Sequence, residues 1–378
     1  MIEQQQNEYF PDVVSPPGDT LAELLEERGM SQAELAKRMG RPHKTINEIV
    51  NGKTAITPDT ALQLERVLGA PARFWLQREQ HYQEWRARQQ DDTQLRAELH
   101  WLEQLPVQEM IKLGWIRASD DPMDRMRVLL SFFGVASPGQ WRQVWQQPKA
   151  AFRHTQAFTS ELGAVAAWLR KGQMEAQVIE CAPYDSQTFR RVLQQVRALT
   201  AEPTHKILTE VRRLCASAGV ALVVVPALTK CRASGATAWL TPAKAMLLLS
   251  LRYRTDDQFW FSFFHEAGHI LLHGKREVFL DEEVEAADKQ ADDEIASKER
   301  EADSFAAELL VPIGALRRFA QAQRPYFSKE SIRTFARQQG IAPGIVVGRL
   351  QHESYLPYSH CNELKAAVEW AVIPGDFC

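Results

Sequence analysis

Two histidines and a glutamate stand close together in the C-terminal half of the chain, as His265-Glu266-Ala267-Gly268-His269. In a helix, four residues advance about 400°, so both imidazoles emerge on one face, one turn apart. That spacing lets two ring nitrogens reach one zinc ion at about 2.0–2.1 Å. Glu266 lies beside them, placed to act as general base towards a water held there. A helix that merely carries two polar histidines would show the same five residues, but the surroundings argue against it. Phe259, Trp260, Phe261, Phe263, Phe264, Ile270, Leu271 and Leu272 make the segment strongly apolar. Two histidines and a glutamate in a buried helix need compensation, and a metal ion supplies it.

A third ligand is expected downstream. Glu299-Arg300-Glu301-Ala302-Asp303 opens a helix that continues into Phe305-Ala306-Ala307-Glu308-Leu309-Leu310. A carboxylate there would complete a His₂Glu set with an open fourth position, the arrangement of catalytic zinc sites. Glu299 and Glu301 are rivals for this place. They stand about 200° apart around a helix, so both cannot easily serve one ion. His273 lies four residues beyond His269, on nearly the same face, and reads as polar surface or as a group that contacts a ligand from behind. Tyr253, His352, Tyr355 and His360 are candidates to stabilise an oxyanion. Asp281–Glu285 reads as a solvated acidic loop or a gate over the cleft, and an exposed strand edge among residues 236–252 as a place where a substrate backbone could pair.

The E-x-x-A-D spacing resembles the E-x-x-S-D of gluzincin peptidases such as thermolysin. The resemblance implies that Glu299 is the ligand and that Asp303 orients a ligating histidine. FWFSFFHEAGHILLH together with EREADSFAAELLVP resembles the ImmA/IrrE family of metallopeptidases, from about Leu222 to Leu350. The implied function is site-specific cleavage of Xre-type repressors. In that family peptidase and repressor usually occupy separate chains.

A second motif lies near the N-terminus. Ser31-Gln32-Ala33-Glu34 reads as a capping box opening a helix to Met39. Gly40-Arg41-Pro42 turns the chain, and a further helix runs from about His43 to Val50. Helix, turn and helix in this order suit a DNA reader. From Arg28 to Lys53 there are six basic and two acidic residues, in a chain whose net charge is −3. Such a local excess suits phosphate contact. His43, Lys44, Thr45 and Asn47 are candidates for base contact. Gln32, Arg41 and Lys53 are candidates for backbone or groove-edge contact. SQAELAKRMGRPHKTINEIVNGKTAITPDTALQLERVLG, with Ala72-Arg73-Phe74-Trp75-Leu76 after it, resembles the Xre/Cro-type repressor domain, and in particular HigA-like antitoxins. The resemblance covers about residues 18–85. It implies a homodimer on a palindromic double-stranded operator.

These segments need a scaffold. The expected fold is mainly α with a small β-sheet. Residues 1–17 form a flexible lead, and 18–90 a five-helix DNA-binding domain in which Asp19 caps the first helix. Residues 91–200 form a helical packing, spacer or sensor region, and 201–378 a zincin-like metallopeptidase domain. Val220–Val225, Ala236–Leu240 and Ala245–Arg252 are the expected strands. Glu277–Asp303 holds twelve acidic residues. With 45% hydrophobic and 25% charged residues, the composition is that of a globular protein. The opening MIEQQQNEYF has no basic region followed by an apolar run, so no signal peptide is expected. The longest apolar runs are shorter than a membrane span. Five cysteines with no CxxC fit a reducing cytoplasm. The expected function is therefore a cytoplasmic DNA-binding regulator with a zinc endopeptidase domain, acting on a repressor, an antitoxin-type protein or itself. The alternative is a HigA-like antitoxin whose peptidase fold senses or binds a toxin or other partner without turnover.

Overall fold

A computed structural model describes residues 14–146, 161–250, 255–274, 279–282 and 293–368. The chain forms two compact units, Met1–Leu99 and His100–Cys378.

The first unit is built from α1 (Pro17–Glu27), α2 (Gln32–Met39), α3 (His43–Val50), α4 (Pro58–Leu68) and α5 (Ala72–Ala97). The helix starts follow local chemistry. Ser31 Oγ accepts from the Glu34 amide at 3.2 Å, and Thr57 Oγ1 from the Thr60 amide at 3.3 Å. The capping box is only half made, because the Glu34 carboxylate accepts from Arg38 Nε at 3.1 Å instead of reaching back. Asp19 is not a cap either. It lies in the first turn of α1, behind Pro16 and Pro17. Gly40 closes α2 at φ 65°, a left-handed position that suits glycine. Leu21, Leu35, Ile46, Leu64 and Trp75 are fully buried and form the centre of this unit's core. Helix α5 runs past residue 90 to Ala97. Nothing in its sequence stops it, and exposed pairs such as Glu84–Arg88 at 2.7 Å support its polar surface.

The second unit is organised by a four-stranded sheet. Its strands are β1 (Val220–Val225), β2 (Ala233–Thr241), β3 (Lys244–Ser250) and β4 (Phe279–Glu282), in the order β1-β3-β2-β4. β1 runs parallel to β3, and β2 is antiparallel to both β3 and β4. β1 and β3 are buried along nearly their whole length, so they read as continuous apolar runs rather than alternating ones. Alternation decides which face each residue serves. Ala245, Leu247 and Leu249 join the main core, while Leu248 points to the opposite face.

Before the sheet come α6 (Val107–Lys112), α7 (Pro122–Phe133), α8 (Pro138–Trp141), α9 (Leu162–Val178), α10 (Ser186–Leu199) and α11 (Thr204–Ser217). α9 covers the Leu248 face. Its Gly172 sits so close that a Cβ would lie 2.5 Å from Leu248. Trp168 Nε1 donates to the Val225 carbonyl at 3.0 Å, and Arg170 Nε to that of Phe132 at 2.7 Å. α10 contributes Phe189, Val192, Leu193 and Val196 to the main core. Much of the stretch read as packing or spacer thus holds the sheet in place.

After the sheet's first three strands come α12 (Asp256–Leu272), then β4, α13 (Asp293–Leu310), α14 (Ile313–Gln323), α15 (Lys329–Gln339) and α16 (Pro343–His352). The sequence placed the first three strands and most helices but not β4, which lies inside the acidic stretch. Pro312 is the N-cap of α14. Residues 251 and 252 of the third expected strand lie outside the described residues. The architecture is mainly helical with a small mixed sheet. Among the described residues no helix is long and apolar enough to cross a membrane.

Candidate metal centre

α12 lies on the sheet and α13 lies on α12. At the crossing, Gly268 faces Ala302, and a Cβ on the glycine would be 3.2 Å from the Ala302 Cα. Ala302 and Ala306 are fully buried there. Small residues on both helices let the backbones approach, and this brings a carboxylate of α13 to the histidines of α12.

The result is a tight triangle. His265 Nε2 and His269 Nε2 are 2.9 Å apart. Glu299 Oε2 lies 3.2 Å from the first and 3.4 Å from the second. Ligands at 2.0–2.1 Å around a tetrahedral ion are separated by roughly 3.3 Å. The three donors therefore match one face of such a polyhedron, and together they could hold a metal ion. His265 is 3% exposed and His269 2%. Burial pushes the Glu299 carboxyl up, but the two imidazoles beside it outweigh burial and hold it down at about 2. A divalent cation at this point would satisfy the anion and both nitrogen lone pairs together.

Asp303, one turn beyond Glu299, places Oδ1 2.9 Å from His265 Nδ1. A carboxylate only accepts, so Nδ1 carries the hydrogen and Nε2 faces the triangle with its lone pair. Glu266 is fully buried. It fits because β2 has a glycine opposite, where a Cβ at Gly235 would lie 2.4 Å from Glu266 Oε1. Gly235 is not among the residues expected at the site. Its signal is a lone glycine inside a strand, which often marks close approach of another group.

Other candidates fall elsewhere. Glu301 does not join the triangle. Its Oε2 lies 3.6 Å from His273 Nε2. His273 is not polar surface, since its side chain is 3% exposed and its Nδ1 is 2.9 Å from His269 Nδ1. His352 and Tyr358 line a cavity of about 380 Å³ together with Asp303, Phe261, Leu310 and Arg349. Tyr355 packs under the Arg324 guanidinium, and His360 Nδ1 meets Ser359 Oγ at 3.1 Å. Tyr253 lies outside the described residues, as do residues 283–285 of the acidic loop. Asp281 and Glu282 belong to β4. Among the described residues β3 is interior, and β4 pairs with β2 only as far as Thr237, so Ala238–Thr241 keep an edge with no described neighbour on that side. The outer strands are β1 and β4.

In the first unit, α2 and α3 display the basic segment. Lys44 keeps 85% of its side chain exposed and stands 3.8 Å from Glu48. His43, Asn47 and Lys53 are exposed, and Gln32, Arg41 and Thr45 are half-buried. Asn47 Nδ2 donates to Gln32 Oε1 at 3.3 Å, linking the two helices. Arg41 Nε donates to Gln63 on α4, so part of its guanidinium serves the fold.

The start of α12 is anchored by a group that the sequence did not reveal. Asp256 is 4% exposed. It accepts from the amides of Asp257 at 2.9 Å and Ala366 at 3.1 Å. Its own amide donates to the Ala366 carbonyl at 2.9 Å. Lys365 Nζ meets Asp257 Oδ2 at 2.7 Å.

Residues 21–75 match the family described as Helix-turn-helix (HTH_3), and residues 232–350 match the IrrE N-terminal-like domain (Peptidase_M78). The HTH-type transcriptional regulator YddM of Escherichia coli (strain K12) is 37% identical over 60 residues, which is 16% of this chain and 64% of that one. The chain spans less than two thirds of the length of each curated relative it matches. An addiction module antidote protein of the HigA family from Coxiella burnetii is 32% identical, covering 22% of this chain and 94% of that one, with a TM-score of 0.21. The Pseudomonas aeruginosa antitoxin HigA, solved with higBA promoter, is 30% identical, covering 23% and 95%, with a TM-score of 0.22. These likenesses bear on the N-terminal segment and not on the chain as a whole.

A pH test follows from Asp256. Burial, with the Asp257 charge adding to it, pushes its pKa up to about 7 from an ordinary 3.8. The folded state therefore holds a proton that the unfolded state has released between these values. Stability contributed by the protonated form is full below about 4 and is lost as pH rises through about 7. A tenfold difference in proton affinity between the two states is worth about 1.4 kcal/mol. Urea unfolding at pH 5 and pH 8 is expected to show a larger loss for wild type than for Asp256→Asn. Equal losses would refute the assignment.

Proposed function

With a helix-turn-helix domain and an IrrE N-terminal-like domain in one chain, we propose a DNA-binding transcriptional regulator that is also a zinc-dependent endopeptidase. The observation that carries this reading is the convergence of His265, His269 and Glu299, with Glu266 inside the same His-x-x-x-His segment. Zinc, when bound, supplies Lewis acidity towards a scissile carbonyl and makes a water more acidic. Glu266 would serve as the general base and acid of the site, accepting a proton from the attacking water and returning it to the leaving amine. Asp303 holds His265 in the ligating tautomer. His352, on the cavity beside Asp303, is the oxyanion candidate that the geometry favours. The substrate is a repressor or antitoxin-type protein, or this chain itself, and its cleavage releases transcription. The outer strand β4 is the candidate edge for an extended substrate. The first unit binds a palindromic operator as a homodimer, with α3 in the major groove.

Two measurements test this. Zinc-loaded wild type, incubated alone and with candidate repressors, is expected to yield fragments by mass spectrometry. A Glu266→Gln variant with the same fold and zinc content should yield none. If the variant processes the same proteins as wild type, the endopeptidase reading fails. If wild type leaves every partner intact, the alternative stands: an antitoxin-like regulator whose second unit binds without turnover. In gel-shift titrations Lys44→Ala should weaken operator binding by about 1–3 kcal/mol without unfolding the chain. Unchanged affinity would remove Lys44 from the interface.

A further inference from the structure

His273 ends the metal-bearing helix as the C-cap of α12, one turn beyond His269. It takes no place among the three converging donors. Yet its side chain is almost fully buried, and both of its ring nitrogens face a named group. Nδ1 is 2.9 Å from Nδ1 of His269. Nε2 is 3.6 Å from Oε2 of Glu301.

Two ring nitrogens in hydrogen-bond contact share one hydrogen. His269 can offer an Nε2 lone pair to a metal as a neutral ring only if its Nδ1 carries that hydrogen. His273 must then accept on a bare Nδ1. Its own hydrogen is left on Nε2, the atom that faces the Glu301 carboxylate. The reverse arrangement would put a hydrogen on His269 Nε2, pointing at His265 Nε2 and Glu299 Oε2, where the ion would sit. One pattern of hydrogens therefore suits these contacts. Asp303 does the same work for His265 by touching its Nδ1 directly.

We infer that His273 and Glu301 are positioning residues, forming a carboxylate–imidazole relay that fixes the tautomer and ring orientation of His269. Each metal-facing histidine is then backed by a carboxylate, one directly and one through a second imidazole. This gives the two glutamates of Glu299-Arg300-Glu301 separate tasks. Standing about 200° apart on α13, one meets the ion and the other meets the far side of the ligand shell.

The inference rests on reading His265, His269 and Glu299 as metal ligands. Its test therefore reads metal binding and not proteolysis. Zinc affinity of the full chain is measured by competition with a chromogenic chelator, and the visible spectrum of the Co²⁺-loaded chain reports ligand geometry. His273→Phe keeps an aromatic ring but removes the acceptor. Zinc affinity should fall about 10–100-fold, the usual range for loss of an outer partner, and the cobalt bands should move. His273→Asn, whose Oδ1 can take the place of the acceptor, should recover most of the affinity. Glu301→Gln should weaken binding by a smaller factor. Wild-type affinity and an unshifted cobalt spectrum in both His273→Phe and Glu301→Gln would overturn the relay. Failure of Asn to recover what Phe loses would overturn it too, by making His273 a packing residue. Should His273→Phe not fold, Glu301→Gln decides alone, because that carboxylate is 57% exposed. A wild-type chain that binds no zinc would instead sink the underlying reading of the site.

Discussion

The crossing of α12 and α13 at Gly268 and Ala302 is the contact on which the site depends. Without a close approach there, Glu299 would stand away from His265 and His269, and the helix would carry two buried imidazoles with no anion beside them. Glycine and alanine make the approach sterically possible. The rest of the second unit fixes the angle. The sheet supports α12 from below, α10 adds Phe189 and Val196 to the same core, and Arg197 Nε donates to the Leu309 carbonyl at 2.6 Å, tying down the end of α13. Asp256 and Asp257 hold the start of α12 to Lys365 and Ala366, more than one hundred residues away in sequence.

The polar groups in this core form a graded set. The three donors face one point. Behind them stand Asp303 and the pair His273–Glu301, which settle where the imidazole hydrogens lie. Farther out, both carboxylates reach solvent, with Asp303 56% and Glu301 57% exposed. Polar contacts thus run from the surface to a buried point, through the Asp303–His265 and His269–His273 hydrogen bonds and the longer His273–Glu301 approach. This is how a core rich in phenylalanine can hold acidic and basic groups without leaving them stranded.

What could be read from sequence depended on how local the cause was. The histidine pair was legible because helical geometry alone aligns residues four apart. The helix-turn-helix was legible because Gly40, Pro42, Thr57 and Pro58 mark its breaks. Glu299 and Glu301 stayed rivals on residues alone, since both precede the same apolar run; only the neighbouring helix distinguishes them. The surface reading of His273 failed for a related reason, as its burial depends on α13 and not on its own helix. Gly235, the partner surface of Glu266, is brought there by the sheet. β4 went unseen because four residues inside an acidic segment show no alternation, and its pairing with β2 is a tertiary effect. The half-made capping box shows a local signal losing to a nearer competitor, Arg38.

Zinc K-edge absorption of the zinc-loaded full chain tests the central claim most directly. The account predicts a four-coordinate ion with two imidazole nitrogens at about 2.0–2.1 Å and a carboxylate oxygen at about 2.0–2.2 Å, with the imidazole contribution reduced in His265→Ala. A shell of oxygens alone, a shell containing sulfur, or a spectrum unchanged by His265→Ala would contradict it.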